Sequence, residues 1–233
     1  MKQREVVNIQ EIEEYLNERD IPCANHKRLL CSLACNLAVA VMEMTAAVMS
    51  WRRHGAGMFL YYTEDSNLFT LVVCAVCSAG IVYALVKKKE LPRWMLTLKY
   101  IAACCLALTF IVVVCVLAPM IGGLEGYKIM LLSDSMLFMH LLCPLLVLFS
   151  FLFIDEGTLP RRAALYALIP TALYAAIAVA LNICGIISGP YPFLMVYEQP
   201  LWASVLWGAG ILGGSYLFAL LLARIKKGRQ SFR

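Results

Sequence analysis

Residues 100–120, YIAACCLALTFIVVVCVLAPM, form an apolar run without a charged side chain. The hydrocarbon core of a bilayer is about 30 Å thick, and a helix that crosses it needs roughly 20 mostly apolar residues. A helix is the expected structure because it pairs every backbone group within its own segment, where water is absent. The run therefore predicts a membrane-spanning helix.

Five further apolar runs accompany this one, and the overall composition agrees with a membrane protein. Of the 233 residues, 62% are hydrophobic and 15% are charged. A soluble domain of this length would need far more polar side chains to cover its core. The sequence predicts an all-α, polytopic membrane protein with six transmembrane helices. The other five are expected at residues 29–50, 67–86, 136–154, 163–187 and 201–223.

The basic residues are distributed unevenly between alternate loops, which indicates how the helices are oriented. With the N-terminus inside, seventeen of the twenty Lys and Arg residues fall in cytoplasmic segments, and only Arg52, Arg53 and Lys128 fall outside. Six spans with both termini in the cytoplasm (N-in/C-in) satisfy the positive-inside rule. The net charge of +5 thus reports orientation in a cell membrane, and we expect no nucleic-acid partner.

The connections between the predicted spans are too short to hold a separate soluble domain. Residues 1–28 are expected to form a cytoplasmic amphipathic segment, residues 29–224 the transmembrane domain and residues 225–233 a basic cytoplasmic tail. Function is therefore expected within the helical bundle. The predicted connections are residues 51–66, 87–99, 121–135, 155–162 and 188–200.

The ten cysteines do not form a metal-binding pattern. Most of them fall inside predicted spans, where free cysteine behaves as a small hydrophobe. Cys74 and Cys77 form a C-x-x-C pair, but neither a second pair nor a neighbouring histidine completes a zinc site. We therefore expect no metal and no cofactor.

The polar residues of the predicted spans are concentrated in the outer half of the bilayer. Ionisable groups inside a membrane are costly, so each is a candidate functional residue. The predicted inner halves contain little beyond Asn36, Ser78 and Ser150. This one-sided distribution indicates a cavity that opens towards the outer leaflet. The candidate residues around it are Glu43, Thr63, Asp65, Ser66, Asn67, Asp134, His140 and Asn182.

Thr63 and His140 each allow a structural and a chemical interpretation. Thr63, followed by Glu64 and Asp65, has the pattern of a helix N-cap. A capping hydroxyl also lies beside free backbone N–H groups that could stabilise an oxyanion. His140 has no polar neighbour in sequence, so it needs a partner from another helix or a wet cavity. We expect Thr63 at the outer rim and His140 one to two turns deeper, so the helices must tilt if the two are to meet.

The acidic candidates also allow two interpretations. Glu43 could form an ion pair with a nearby arginine or with His140, or it could orient that imidazole. Asp65 and Asp134 could be solvated residues at the membrane surface. Tyr191 and the tryptophans fit the aromatic belt of a membrane interface, which implies no chemistry.

Three short motifs resemble those of a family of bacterial six-helix integral membrane proteins. Residues 61–68, YYTEDSNL, are similar to that family's aromatic-aromatic-Thr-x-x-Ser-Asn-Leu pattern at the start of a helix. His140 and Pro144 resemble its His-x-x-x-Pro, and residues 189–194, GPYPFL, resemble its Tyr-Pro-Phe-Leu loop. The likeness extends over about residues 30–225. The family is similar in turn to the androgen-induced and androgen-dependent TFPI-regulating proteins, which are intramembrane threonine hydrolases.

The resemblance implies hydrolysis of fatty acyl esters, with a membrane lipid as substrate. It implies that Thr63 is the nucleophile and His140 its general base, which agrees with the need of a hydroxyl for a base and with the usual choice of histidine. Ser66 is a rival nucleophile one turn along the helix, because the Ser-Asn pair belongs to the bacterial pattern. The remaining candidates would bind substrate or support the pair.

Two other functions remain open at this stage. The ionisable residues could line a path for a small solute or ion, although a through-path should be polar at more depths. The protein could also be a non-catalytic, lipid-binding membrane subunit. In that case small-residue patches such as Gly208, Gly210, Gly213 and Gly214 would support close helix packing.

Overall fold

A computed structural model describes residues 23–231, with side chains for residues 26–229. Every secondary-structure element in this part of the chain is a helix. Six helices in it are long and apolar enough to cross a membrane, which confirms the predicted all-α architecture of six long apolar helices. A shorter helix, α4 (Gly123–Leu132), lies between the third and fourth of them. The six are α1 (Cys23–His54), α2 (Tyr62–Lys87), α3 (Arg93–Ile121), α5 (Asp134–Ile154), α6 (Ala163–Ile183) and α7 (Leu201–Ser231).

The predicted connection between the first two spans, residues 51–66, is longer than the one in the structure. α1 continues to His54, and a 3-10 helix at Gly55–Leu60 then leads into α2. At the other end α1 already begins at Cys23, so part of the predicted N-terminal segment is helical. The remainder of that segment, residues 1–22, lies outside the described residues.

The predicted connection at 121–135 was wrong, because α4 occupies most of it. α4 is too short to span a bilayer, but it packs closely on the end of α3. The Tyr127 hydroxyl donates to the Val114 carbonyl at 3.1 Å. Gly126 lies against the Ala118 carbonyl, where a side chain would not fit.

Helix α3 is the centre of the bundle and packs against α2, α5, α6 and α7. Small residues allow these helices to approach closely, because Ala102, Ala103 and Ala107 are all buried on α3. The Tyr100 hydroxyl joins α3 to α7 by donating to the Ala219 carbonyl at 2.6 Å.

Helix α5 departs from regular α-helical geometry at two places. The backbone follows π-helical hydrogen bonding at Leu137–Leu142 and again at Ser150–Ile154. The first of these segments contains His140 and precedes Pro144, which has no N–H to donate to the carbonyl four residues earlier. Such insertions change the direction in which a side chain leaves the helix and are frequent at functional sites.

The polar groups lie at both ends of the bundle, so the prediction of nearly apolar inner halves was wrong. Lys99, which the sequence placed in a loop, lies inside α3 and is buried. Its ammonium group hydrogen-bonds to Asn36 and Ser150 and lies 3.4 Å from an Asp155 carboxylate oxygen. We call this end of the bundle the Asp155 end, and the opposite end, where α2 begins, the Thr63 end.

Candidate active site

Thr63 does not cap helix α2, because the helix begins one residue before it. The N-cap residue is Tyr61, and Thr63 lies in the first turn. The Thr63 hydroxyl faces α5 instead, where its Oγ1 lies 3.4 Å from Nε2 of His140. The interpretation of Thr63 as a capping residue is therefore wrong.

Three hydrogen bonds connect the start of α2, and the end of the 3-10 helix before it, to helices α1 and α6. The Tyr62 hydroxyl lies 2.8 Å from that of Thr171 on α6. The Tyr174 hydroxyl, also on α6, donates to the Leu60 carbonyl at 2.7 Å. On the other side Ser50 of α1 donates to Glu64 at 2.5 Å. These contacts hold the first turn of α2 against the bundle, where Thr63 meets His140.

The His140 imidazole is buried, with only 3% of its surface exposed, and both ring nitrogens have a neighbour. Nδ1 lies 2.6 Å from the carbonyl oxygen of Met130, in the last turn of α4. The last carbonyl groups of a helix lack a partner within the helix and are free to accept such a bond. Since a carbonyl can only accept, Nδ1 carries the proton, and Nε2 presents its lone pair to Thr63.

This arrangement gives Thr63 the two things that a hydroxyl nucleophile needs. A base lies beside it, and a third group fixes the tautomer and direction of that base. The order of groups follows the logic of a catalytic triad, with a backbone carbonyl in the place of the carboxylate. The distance of 3.4 Å is longer than an ideal hydrogen bond, as is common for catalytic groups before substrate binds.

A small cavity whose described lining contains no acidic residue borders Thr63. Its volume is about 50 Å³, and its walls come from α2, α3, α6, α7 and the loop before α7. Most of the lining is apolar, including Leu108, Val112 and Phe193. Tyr191 also lines the cavity, and its hydroxyl accepts a hydrogen bond from the Thr63 N–H at 3.4 Å. The sequence interpretation assigned Tyr191 no chemistry.

The neighbouring polar residues of α2 support the backbone of Thr63. The Ser66 hydroxyl donates to the Thr63 carbonyl at 3.0 Å and lies 3.2 Å from that of Thr109. The Asn67 amide donates to the same carbonyl at 2.7 Å. Ser66 is thus directed towards α3, whereas the imidazole faces Thr63. Asp65 is half-buried in the same turn.

Three of the predicted site residues lie apart from the pair. Asp134 is exposed and forms an ion pair with Arg53 at 2.7 Å. Asn182 holds the loop after α6, because it donates to the Ile187 carbonyl at 2.8 Å and accepts from the Val196 N–H at 2.9 Å. Glu43 does not pair with His140 or with an arginine.

Glu43 is buried at 2% exposure, and its two carboxyl oxygens find no hydrogen-bonding oxygen or nitrogen among the described residues. The Cys143 thiol of α5 lies beside the carboxyl group. Glu43 therefore neighbours α5 one turn after His140 without contacting the imidazole.

A larger cavity, of about 640 Å³, opens at the Asp155 end between α1, α2 and α3. Its polar lining includes Ser32, Asn36 and Lys99. The Ser32 hydroxyl donates to Asp155 at 2.5 Å, and the Lys99 ammonium group lies 3.4 Å from the same carboxylate. Thr63 lines the smaller cavity and not the larger one.

No known protein family, curated protein or solved structure matches the chain. The fold and the site define a class by themselves: a multi-pass α-helical membrane protein with a threonine beside a buried histidine at one end of the bundle.

Proposed function

We propose that this protein is an intramembrane hydrolase of fatty acyl esters, with Thr63 as nucleophile and His140 as general base. One observation carries the proposal: Nε2 of His140 lies 3.4 Å from the Thr63 hydroxyl, while Met130 holds the proton on Nδ1. An imidazole in an apolar bundle is costly, and this orientation uses it as a base.

The reaction proceeds by acyl transfer to Thr63. His140 Nε2 accepts the hydroxyl proton while Oγ1 bonds to the ester carbonyl carbon, whose π electrons move to the carbonyl oxygen. The tetrahedral intermediate then expels the alcohol oxygen, which takes the proton from Nε2. Water attacks the acyl-threonine with His140 again as base, and release of the fatty acid restores Thr63.

The surroundings of Thr63 favour a lipid substrate. The adjacent cavity is lined mainly by apolar side chains, but its 50 Å³ are far below the roughly 300–1,000 Å³ of ordinary ligand pockets. An acyl chain therefore reaches Thr63 by parting the cavity walls, and the loop before α7 forms one of these walls. A membrane lipid can do this from within the bilayer.

The charge distribution supports an N-in/C-in orientation in the cell membrane, with the Thr63 end at the outer leaflet. Cys184 is exposed at this end, just after α6. A membrane-impermeant maleimide applied to intact cells should therefore label native protein but not a Cys184→Ser variant. Labelling of Cys184 that requires permeabilised cells would reverse the proposed orientation.

The hydrolase is tested with isosteric and conservative changes at Thr63. Thr63→Val keeps the shape and removes the hydroxyl, so hydrolysis of 4-nitrophenyl octanoate in detergent micelles and labelling by a fluorophosphonate probe should both vanish. Thr63→Ser restores a hydroxyl and should retain activity, whereas His140→Gln removes the base and should abolish it. The matched control is Thr45→Val, because Thr45 is an exposed residue whose hydroxyl bonds only within α1.

A second variant separates the two candidate nucleophiles. The Ser66 hydroxyl is hydrogen-bonded to Thr63 and Thr109 and is not expected to react with the probe. The Ser66→Ala variant should therefore still be labelled, at Thr63. Probe labelling that survives Thr63→Val and disappears in Ser66→Ala would move the nucleophile. Hydrolysis that is independent of both residues would contradict the proposal.

The arrangement of the core favours a hydrolase over a channel or transporter. The cavities at the two ends are separated by tightly packed and mainly apolar residues, including Cys74 and Val147, with the buried Glu43 among them. A conducting path needs polar groups at intermediate depths. The glycines of α7 give no support for close packing within the chain, since a Cβ added at Gly208 or Gly210 would meet no described atom within 4 Å.

A further inference from the structure

The loop between α6 and α7 places one tyrosine against the proposed nucleophile. Gly189 has a φ of +88° and lies close to the Leu194 carbonyl, so the loop can turn tightly there. Residues Pro192–Leu194 form a short 3-10 helix, and the Leu194 N–H donates to the Tyr191 carbonyl at 2.8 Å. This turn directs the Tyr191 side chain back into the bundle.

The Tyr191 ring is held from two sides. It stacks on Phe193, with ring centroids 5.1 Å apart, and it meets Tyr61 edge to face at 6.1 Å. Phe193 is buried and packs in turn on Trp207 of α7. A ring fixed in this way keeps its hydroxyl in one position beside Thr63, as preorganised catalysis requires.

The Tyr191 hydroxyl lies beside both the backbone and the side chain of Thr63, and its own proton can be donated to a ligand. Its oxygen accepts from the Thr63 N–H at 3.4 Å, and a phenol oxygen that accepts can still donate. Tyr191 lines the same cavity as Thr63, where the carbonyl group of a bound ester would lie. Burial raises the pKa of Tyr191, so the phenol remains protonated at neutral pH.

We propose that Tyr191 is a further catalytic residue, whose phenol O–H donates a hydrogen bond to the ester carbonyl oxygen as Thr63 attacks. Negative charge develops on this oxygen when the π electrons of the carbonyl move to it. The electron pair returns to the carbonyl bond when the alcohol leaves. Tyr191 keeps its proton throughout, so it stabilises the oxyanion without exchanging atoms. This inference rests on the proposed hydrolase function.

The other polar side chains around Thr63 each have a hydrogen-bond partner of their own within the described part of the chain. The Tyr62 hydroxyl is paired with Thr171, and the Tyr174 hydroxyl donates to the Leu60 carbonyl. The Asn67 amide donates to the Thr63 carbonyl. Tyr191 differs from them because it combines a hydrogen bond from the Thr63 N–H with a place in the cavity wall.

The first test is Tyr191→Phe, which removes only the hydroxyl. Loss of one oxyanion donor costs about 100- to 1,000-fold in kcat, and we expect that loss in the hydrolysis of 4-nitrophenyl octanoate with little change in KM. Affinity for a trifluoromethyl ketone, which forms a tetrahedral adduct, should fall by a similar factor. The matched control is Tyr197→Phe, because the Tyr197 hydroxyl donates to the Ile183 carbonyl, away from Thr63.

A second variant guards against a loss of activity through misfolding. Trifluorotyrosine at position 191 keeps the ring and the hydroxyl but lowers the pKa of the phenol below the ordinary value of about 10. Activity should then disappear as the pH rises through that lower pKa, whereas the native enzyme stays active. A purely structural role would give the same pH profile for both proteins.

The outcomes distinguish this inference from the proposed function. Activity that depends on Thr63 and His140 but is unchanged in Tyr191→Phe, with a native pH profile for trifluorotyrosine, would overturn the role of Tyr191 alone. Activity that is independent of Thr63 would overturn the hydrolase and the role of Tyr191 together.

Discussion

At the scale of single residues, His140 is oriented by a neutral group where many hydrolases use a carboxylate. The Met130 carbonyl accepts the Nδ1 proton at 2.6 Å and brings no charge into the bundle. A carboxylate at that depth would itself require a partner, because unpaired charges in an apolar bundle are costly. A carbonyl fixes the tautomer as firmly, although it stabilises the imidazolium less than an anion would.

Glu43 is the residue for which this orientation makes a clear prediction. Both nitrogens of His140 are already occupied, by Met130 and Thr63, so Glu43 cannot orient the ring. We expect Glu43→Gln to leave kcat/KM within about threefold, which is less than 1 kcal/mol of transition-state energy. The melting temperature of the Glu43→Gln variant in detergent should be unchanged or higher, because burial of an uncharged amide costs less free energy than burial of an unpaired carboxylate.

The test of Glu43 needs an internal comparison, because a buried substitution can alter folding. Activity is therefore normalised to the folded fraction measured by size-exclusion chromatography. A fall of 100-fold with normal folding would show that Glu43 acts on the site by a route other than direct contact with His140.

The sequence identified Thr63 and His140 but not the groups that orient them. Both residues stand out by chemistry: one is a hydroxyl at a helix start, and the other is an imidazole in an apolar run. The Met130 carbonyl cannot be recognised in a sequence, since every residue has one. The sequence did not suggest the proposed role of Tyr191, because an aromatic residue near a span end usually belongs to the interfacial belt.

At the scale of elements, α4 connects the third and fourth spans and also supports the base. Its last turn supplies the Met130 carbonyl, and its middle rests on the end of α3. The contact is close at Gly126, where an added Cβ would lie 2.0 Å from the Ala118 carbonyl oxygen. A displacement of α4 from α3 would therefore also move the Met130 carbonyl away from His140.

Gly126→Ala tests this coupling. Because the clash is with backbone rather than with a flexible side chain, α4 must shift, and His140 should lose its orienting partner. A misplacement of about 1 Å can cost up to 100-fold, so we expect kcat/KM to fall by about 10- to 100-fold while Thr63 is untouched. Ester hydrolysis and the melting temperature are measured side by side.

The matched control for Gly126 lies on α7. An alanine Cβ at Gly208 would meet no described atom within 4 Å, so Gly208→Ala makes the same chemical change without a clash. Equal activity of the two variants would show that the position of α4 does not control the site.

The sequence predicted the six spans because each is a long apolar run, but it could not predict their irregular ends. α1 extends past its apolar core to His54, and a helix whose last turn is polar leaves no hydropathy signal. α4 was missed because ten residues are too few for a span and their pattern resembles a loop. The π segment around His140 was indicated only indirectly, by Pro144.

At the scale of the whole molecule, the bundle has a polar cluster at each end and a mainly apolar core between them, in which Glu43 lies buried beside Cys143. The Asp155 cluster joins three spans: Ser32 and Asn36 from α1, Lys99 from α3, and Ser150 from α5. The sequence missed it because Lys99 was counted with a basic loop, whereas α3 begins six residues earlier, at Arg93. Its distance from Thr63 indicates a role in stability rather than in chemistry.

Asp155→Asn should therefore reduce stability without damaging the active site. The Asp155 side chain is 11% exposed and that of Lys99 is 4% exposed, so the substitution leaves a buried ammonium without its counter-charge. Removing one partner of a buried pair costs about 3 kcal/mol or more. At about 2–4 °C per kcal/mol for a chain of this size, the melting temperature in detergent should fall by about 6–12 °C.

The exposed pair at the opposite end gives the comparison. Arg53 and Asp134 are 42% and 59% exposed, and such pairs contribute about 0–1 kcal/mol, so Asp134→Asn should lower the melting temperature by less than about 4 °C. Below its melting temperature, Asp155→Asn should hydrolyse 4-nitrophenyl octanoate at the native rate, because its contacts lie at the other end of the bundle from His140 and Thr63. A variant that melts normally but loses hydrolysis would show that the two ends are coupled, and the division of the bundle into a stabilising end and a catalytic end would be wrong.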